Sequence, residues 1–348
     1  FLVHDARRSL GPAVAKPWAA RWPAVHGRQI RAREVGRTMT MLRTTKRLLL
    51  AGAALALAGG LLAGGIAPAS AKDLKAVGVT LGSLGNPFFV AMTKGVEAKA
   101  KEINPNAKVI AVSADYDLNK QFTQIDNFIA SGVDVILVNA ADPKAIAPAI
   151  KRAQAAGIVV VAVDVAAAGA DATVQTNNVM AGEIACKYLA DKIGGKGNVV
   201  IVNGPQVSSV IDRVNGCKTE LAKSSAIKIL SSDQDAKGSR EAGLAVMQGL
   251  LTRFPAIEGV FSINDPQSIG ADLAAKQLGR SEMVITSVDG APDIESALKG
   301  NTLIQASASQ DPYFMAQKAL EVGYGIVNGQ KPAEPVILLD PQLFTRDN

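Results

Sequence analysis

Beyond residue 71 the chain has no histidine and no tryptophan; His4, Trp18, Trp22 and His26 are the only ones. Histidine is the usual proton shuttle near neutral pH. Its absence excludes Ser-His-Asp and Cys-His schemes and every His-based zinc site. Carboxylates, Lys and Tyr are the acids and bases left, which disfavours an enzyme without excluding one. Cysteine is scarce as well, with only Cys186 and Cys217. They form no CxxC and support no metal cluster. Both fall in predicted helices, so a disulfide and a pair of free buried thiols are both open. No Gly-Lys-Ser or Gly-Lys-Thr phosphate loop, dinucleotide glycine spacing or EF-hand spacing occurs. Asp233 and Asp235 are too close in sequence to argue for a paired-carboxylate hydrolase. No cofactor and no metal centre is expected, although the acidic loops leave calcium open.

One segment present has a clear order. Arg43, Lys46 and Arg47 precede an uncharged apolar run from Leu48 to Ile66, and Ala69-Ser70-Ala71 supplies small residues for cleavage. That order predicts an export signal over 41–71 and a mature chain at work in the periplasm. No Cys follows the run, so a lipid anchor there has no attachment residue. Residues 1–40 lack apolar periodicity and are read as an extension from an over-long gene start, with Met39 or Met41 as initiator. A cytoplasmic extension and a basic nucleic-acid-binding arm are the rival readings. Of 37 Lys or Arg and 31 Asp or Glu, residues 1–71 hold 11 and 2, so the remainder keeps 26 and 29, a net of −3. The formal charge of +6 therefore belongs to the discarded segment and predicts no nucleic-acid partner.

The rest alternates β-branched runs with longer amphipathic stretches. Strands are predicted at 76–81, 108–112, 133–139 and 158–163, with helices at 88–102, 119–131 and 143–157 between them. The rhythm restarts near Thr176. Helices follow at 180–193, 210–223, 237–253, 269–278 and 292–298, with strands at 198–202, 227–231, 259–263, 283–288 and 303–308. A last helix at 312–328 leads to an extended, proline-punctuated tail. Continuous apolar strands separated by helices predict parallel sheets covered on both faces, in two α/β units of similar size.

Parallel sheets bind ligands beyond the carboxyl ends of their strands. Those places hold Asn86 with Phe88 and Phe89, then Asp115, Asn139, Asp142 and Asp164. In the second unit they hold Gln206, Ser208 and Ser209, Asp233 and Asp235, Asn264 and Asp265, Asp289, and finally Gln310 and Asp311. Asp142, Asp265 and Asp311 each precede a proline and read as helix caps. Asp164 and Asp289 have no such role. Asn86-Pro87 fixes an extended approach to a helix, and adjacent residues cannot share one helix face. One phenyl ring is therefore expected to pack and the other to face a cleft. Aromatic rings suit the C–H faces of a carbohydrate, while carboxylates and amides take its hydroxyls.

Six segments then occur in a telling order: Asn86-Pro87-Phe88-Phe89, Val163-Asp164, Arg213-Val214-Asn215-Gly216, Asn264-Asp265, Val288-Asp289-Gly290 and Gln310-Asp311-Pro312-Tyr313. Together they resemble the periplasmic sugar-binding proteins of the ribose/galactose type, the receptors of ABC importers, over Lys72 to about Leu339. The resemblance implies the type I periplasmic binding protein fold: two doubly wound parallel-sheet domains joined by a three-stranded hinge. One lobe would be 72–176 plus 311–339, the other 177–310 plus 340–348. It also implies roles. Asn86 would bond a hydroxyl, Phe88 and Phe89 would bracket the ring, or one would while the other packs, and Asp164 would accept from hydroxyls. Arg213 would donate from the second domain, and Asn264, Asp289 and Gln310 would complete the shell. Implied partners are a sugar or polyol, an ABC permease in the inner membrane, and a chemoreceptor or sensor kinase. Ribose-type members commonly carry Arg after the residue matching Asp164, where this chain has Val165. Their later second-domain aromatic is missing from Asp235-Ala236-Lys237-Gly238. Both departures argue against ribose and leave another pentose, a hexose, a deoxy sugar or a polyol. An autoinducer receptor of the same fold and a secreted carbohydrate-active enzyme using Asp164 and Asp289 are the rival functions. Repressors of the LacI kind share the domains, but residues 1–71 form no helix-turn-helix.

Overall fold

Short runs of Val, Ile, Leu and Ala build two sheets whose inner strands are buried on both faces, and helices cover them. A computed structural model describes residues 71–347. The extension and most of the export signal expected over residues 1–70 lie outside the described residues.

The chain begins with β1 (Ala76–Leu81), α1 (Pro87–Ile103), β2 (Lys108–Ser113), α2 (Leu118–Ala130), β3 (Val135–Val138), α3 (Ala147–Ala155), β4 (Val159–Val163) and β5 (Ala172–Thr176). It continues through α4 (Asn178–Lys192), β6 (Lys196–Val202), α5 (Ser208–Leu221), β7 (Ala226–Ser231), α6 (Arg240–Arg253), β8 (Gly259–Ser262), α7 (Asp265–Gln277), β9 (Val284–Asp289), α8 (Pro292–Lys299) and β10 (Ile304–Ser309). It ends with α9 (Pro312–Val327), β11 (Val336–Leu339) and β12 (Gln342–Thr345). One six-stranded sheet has the order β11-β5-β4-β3-β1-β2, and every pairing in it is parallel. The other has the order β12-β10-β9-β8-β6-β7 and is parallel except for β12, which runs antiparallel to β10.

Packing follows from the alternation of side chains along each strand. Val77, Val79, Leu81, Leu137 and Val161 face α1 and α9, where Met92, Val96, Met315 and Leu320 meet them. Ile136, Val138 and Val160 face the other way, onto Ile125, Phe128 and Ile150 of α2 and α3. The second sheet repeats this, with Val200, Val202, Val260 and Ile285 against Met247, Leu250 and Ala274. Its opposite face sets Val199, Ile201 and Phe261 beside Leu189, Val214 and Leu221. Each fully buried Leu or Ile stabilises the fold by about 1.5–3 kcal/mol, which is why the strands read as unbroken apolar runs.

The chain passes between the sheets three times: from β5 into α4, from β10 into α9, and from β11 into β12. Helix α9 packs on α1, β4 and β5, so it returns to the first sheet.

Three local features differ from the sequence reading. Strand β5 was not foreseen; its five residues are all buried between β4 and β11. Its Thr173, Gln175 and Thr176 break the apolar signal, and its burial comes from β11, at the far end of the chain. Helix α3 starts at Ala147 and not at Pro143. Asp142 accepts from the N–H groups of Lys144 and Ala145 in a separate turn, and Pro148 has no N–H to carry a helical ladder back through it. Helix α6 starts at Arg240 and not at 237, because Lys237 (φ 53°) and Gly238 (φ 65°) turn the chain first and Ser239 caps the helix.

Cys186 on α4 and Cys217 on α5 form a disulfide, with Cα atoms 5.1 Å apart. The helices meet closely because Gly182 has no side chain: a Cβ there would stand 2.0 Å from the Arg213 carbonyl oxygen.

Candidate functional site

The strand ends of both sheets open onto a common cleft. Asn86, Phe88, Phe89 and Asp164 line it from the first sheet's side; Arg213, Asn264 and Asp289 line it from the second, and Gln310 lies at the β10–α9 crossing. The structure thus brings to one place all eight residues to which the family resemblance gives a role, whereas Asp115, Asp142, Gln206, Ser208, Asp233, Asp235, Asp265 and Asp311, also at strand ends, do not line the cleft.

Asp164 follows β4 in a left-handed backbone conformation, φ 68°. Its Oδ2 accepts from the Asn139 amide at 2.8 Å. Its Oδ1 is buried and has no partner. Burial pushes the carboxyl up to about 6, opposed by the Arg213 charge and by the Asn139 hydrogen bond. Asp289 ends β9 with φ 131°. Its Oδ1 accepts from the Gln310 amide at 2.7 Å and from Arg213 Nη1 at 3.4 Å. Burial holds this carboxyl well above its ordinary range; Arg213 pulls it down, and the nearby Asp265 pushes it further up. Gln310 Oε1 is a second buried acceptor with no partner.

Arg213 is 4 % exposed. Its Nε donates to Asn178 Oδ1 at 2.9 Å and its Nη1 to the Ile263 carbonyl at 2.8 Å. Asn178, at the start of α4, donates in turn to the Thr176 carbonyl. The guanidinium is therefore tied to the first crossing as well as to β9. Asn264 caps α7 by accepting from Gln267 N–H at 3.1 Å and donates to the Gly238 carbonyl at 3.0 Å. Asn86 caps α1 through its Oδ1, which accepts from Phe88 N–H at 3.0 Å.

Two expectations change here. Phe88 and Phe89 do not divide into one packed ring and one cleft ring. Both are buried, at 6 % and 3 % exposure, and both line the cleft. They meet edge to face with centroids 5.3 Å apart, an arrangement favoured by the ring quadrupoles. The first turn of α1 ends at the cleft, so successive positions both reach it. Asp265 is not a cap either, because Asn264 takes that role. Asp265 is buried and accepts from Ser287 Oγ at 2.5 Å, Ser307 Oγ at 2.7 Å and Ala291 N–H at 2.8 Å. Burial pushes it up to about 7 against those three hydrogen bonds. Ser307 Oγ also accepts from Gly290 N–H at 3.1 Å, so the cluster fixes the chain immediately after Asp289. Asp311 does cap, by accepting from Phe314 N–H at 2.9 Å; Asp142 does not, since its hydrogen bonds close the turn ahead of α3, whose N-cap is Ile146.

Sequence reasoning missed Tyr116 and Asn178. Tyr116 lines the cleft from the β2–α2 turn, one residue past the strand-end carboxylate Asp115. Asn178 carried no signal beyond following the Thr176 boundary. Val165, Val207, Val210 and Ile263 add an apolar stretch of wall beside the polar Asn139 and Ser209, and Ala166 N–H donates to Ser208 Oγ at 2.7 Å from one lobe to the other. The cleft thus sets two carboxylates against one guanidinium, with acceptors in excess, beside a wall of aromatic and aliphatic groups. That arrangement suits a neutral ligand rich in hydroxyl donors and disfavours an acidic one.

A sequence profile described as the periplasmic binding protein domain matches residues 77–331. The ribose import binding protein of Bacillus subtilis is 34 % identical over 258 residues, covering 73 % of this chain and 82 % of that protein. The xylitol-binding protein of Mycolicibacterium smegmatis is 32 % identical over 284 residues, 80 % of each chain. Among solved structures, an ABC transporter periplasmic solute-binding protein from Actinobacillus succinogenes with bound D-allose superposes with a TM-score of 0.72 at 29 % identity, covering 78 % of this chain and 98 % of that one. The chain belongs to the periplasmic binding protein family and has its type I fold.

Proposed function

We propose that this periplasmic binding protein captures a neutral sugar or sugar alcohol between its lobes, outside the cytoplasm, and delivers it chemically intact to the permease of an ABC importer. The observation that carries this reading is the pair of buried, unpartnered acceptors, Asp164 Oδ1 and Gln310 Oε1, in a cleft also lined by Phe88 and Phe89. An unpaired buried acceptor costs about 1–3 kcal/mol. Ligand hydroxyls remove that cost in the closed state, while the rings cover C–H surface. The lobes are residues 72–176 with 311–339 and 177–310 with 340–348, and the three crossings between them are the hinge. The ligand binds one lobe first; closure brings in the other and excludes water, which strengthens each hydrogen bond. Only the closed pair of lobes presents the face that the permease reads; a chemoreceptor or sensor kinase would read the same face. The segment 41–71 directs the export this requires.

Thermal unfolding with D-ribose, xylitol, D-allose and myo-inositol tests the reading. At a hundred times its Kd, a true ligand adds about 2.7 kcal/mol, or roughly 5–10 °C of Tm, and is recovered unchanged from the denatured protein. A panel that leaves Tm unmoved, or a ligand recovered as product, contradicts it. Ribose is expected to rank below the best ligand, because Val165 offers no charged donor.

Asp164 adds a pH signature. Its carboxyl rises from 3.8 to about 6 on folding, so from about pH 4 to pH 6 the folded state holds more protons than the unfolded chain. Stability without ligand therefore falls as pH rises through that window. Asp265, pushed up to about 7, extends the decline. Sugar hydroxyls donate to the ionised form, so affinity runs the opposite way. Kd is expected to be about tenfold lower at pH 7 than at pH 5, as the ionised fraction of Asp164 rises from about a tenth to about nine-tenths. Calorimetric titrations at both pH values check this, and an unchanged Kd removes Asp164 from the set of hydroxyl acceptors.

A further inference from the structure

We infer that Tyr116 is the specificity-determining aromatic of the cleft mouth: it reaches from the first lobe toward Gly238 of the second and closes over the C–H face of the bound sugar or polyol. The inference rests on the receptor reading above and adds the residue that selects among neutral ligands.

Three independent observations carry it. The first is placement. Tyr116 lines the cleft, and its ring occupies the space that a side chain on Gly82 would need: a Cβ there would lie 2.7 Å from Tyr116 Cε1 and 3.0 Å from Phe89 Cζ. The missing side chain lets the Tyr116 ring settle beside Phe89. On the opposite rim, Tyr116 Oη lies 3.8 Å from where a Gly238 Cβ would stand. Gly238 is held in place by Asn264, which donates to its carbonyl. One aromatic side chain of the first lobe therefore reaches Gly238 of the second across the cleft.

The second is backbone geometry. Asp115 (φ 52°) and Tyr116 (φ 57°) are consecutive non-glycine residues in the left-handed region. Each costs about 1–2 kcal/mol relative to ordinary backbone. The turn is held by its own hydrogen bonds: Asp115 accepts from Ser113 Oγ and Lys120 Nζ, both at 2.5 Å, and Asp117 N–H donates to the Ala114 carbonyl at 2.9 Å. Strain braced this heavily marks a side chain whose direction matters.

The third is chemistry. Tyr116 Oη donates no hydrogen bond within the described residues, and the same cleft holds the unpartnered acceptors Asp164 Oδ1 and Gln310 Oε1. The Asp164 and Asp289 carboxylates both act on it, holding the phenol above its usual range after burial itself. The phenol is thus a neutral donor in a cleft that holds two carboxylate acceptors. A ligand hydroxyl near the mouth meets Oη, and the apolar side of the ligand meets the ring. Ligands of different length and stereochemistry present different atoms there, which makes the residue selective and not merely adhesive.

The test compares D-ribose, xylitol and D-allose by isothermal titration calorimetry on wild type, Y116F, Y116L and Y116A. Y116A and Y116L are expected to weaken the tightest probe by about tenfold or more and to narrow the spread of Kd values across the three. Y116F keeps the ring and is expected to stay within about fivefold, changing only the probe whose hydroxyl met Oη. Y116L retains bulk over Gly82, so its loss isolates the aromatic face even if Y116A unfolds. Wild-type binding that Y116L reproduces for all three probes overturns the Tyr116 assignment alone. Absence of binding by wild type to every probe overturns the receptor reading, and this assignment falls with it.

Discussion

Asp289→Ala is expected to raise the Kd of whichever sugar the wild-type protein binds by about 100-fold. The figure comes from two ligand hydroxyls that would lose a charged acceptor, at about 1.5 kcal/mol each, in a cleft where water does not replace it fully. The structural cost is separate. Arg213 loses its carboxylate at 3.4 Å but keeps Asn178 Oδ1 and the Ile263 carbonyl. Breaking a buried pair by removing one partner costs about 3 kcal/mol, which a domain pair of this size survives. Calorimetry should therefore show weak binding by a protein whose circular dichroism spectrum is unchanged and whose Tm is lower. Asp289→Asn separates the two effects. It keeps an acceptor for Arg213 and Gln310, so its Tm should lie close to wild type while its Kd stays at least tenfold raised. Wild-type affinity in Asp289→Asn would place the sugar away from β9.

Much of this arrangement was legible because one rule does most of the positioning. Parallel strands end on one side of their sheet, so reading the residue after each apolar run collected Asp164, Asn264, Asp289 and Gln310 without any knowledge of tertiary structure. The strands themselves were legible because helices cover both faces and leave no polar alternation to confuse them. What escaped was set by partners distant in sequence. β5 reads as a polar stretch, and only its place between β4 and β11 makes Thr173 and Gln175 interior residues. Asp265 and Asp311 share the same Asp-Pro signature and separate in fate for a reason located elsewhere. Behind Asp265 stand Ser287 and Ser307 on two neighbouring strands, whereas Asp311 has only its own helix to cap. Tyr116 was invisible because its direction depends on two left-handed residues, a conformation that no composition signal at Asp115-Tyr116 announces. Phe88 and Phe89 were legible as a pair and misjudged in geometry, since the two-face argument holds inside a helix and fails in its first turn.

Removing the disulfide, by Cys186→Ala with Cys217→Ala, is expected to lower stability by about 3.5 kcal/mol and Tm by roughly 10 °C, with sugar affinity changed less than about threefold. The bond closes a loop of 31 residues by sequence separation, and constraining a loop of that length removes entropy chiefly from the unfolded chain. The native contact between α4 and α5 does not depend on it. Gly182 already lets the helices meet at backbone distance, and Arg213, on the same α5, is positioned by Asn178, Ile263 and Asp289. Stability and binding should therefore come apart. Both cysteines have no exposed surface, so a thiol reductant reaches them only when the domain opens. Wild-type protein in reductant should stay oxidised at room temperature, and on heating it should unfold near the Tm of the double variant. The same chain synthesised without export, in a reducing compartment, should match the double variant from the start, because the bond needs an oxidising environment to form. A Tm unchanged in the double variant would show that the unfolded chain is already restricted over residues 186–217; a lost affinity would show that α5 needs the bond to hold Arg213 in place.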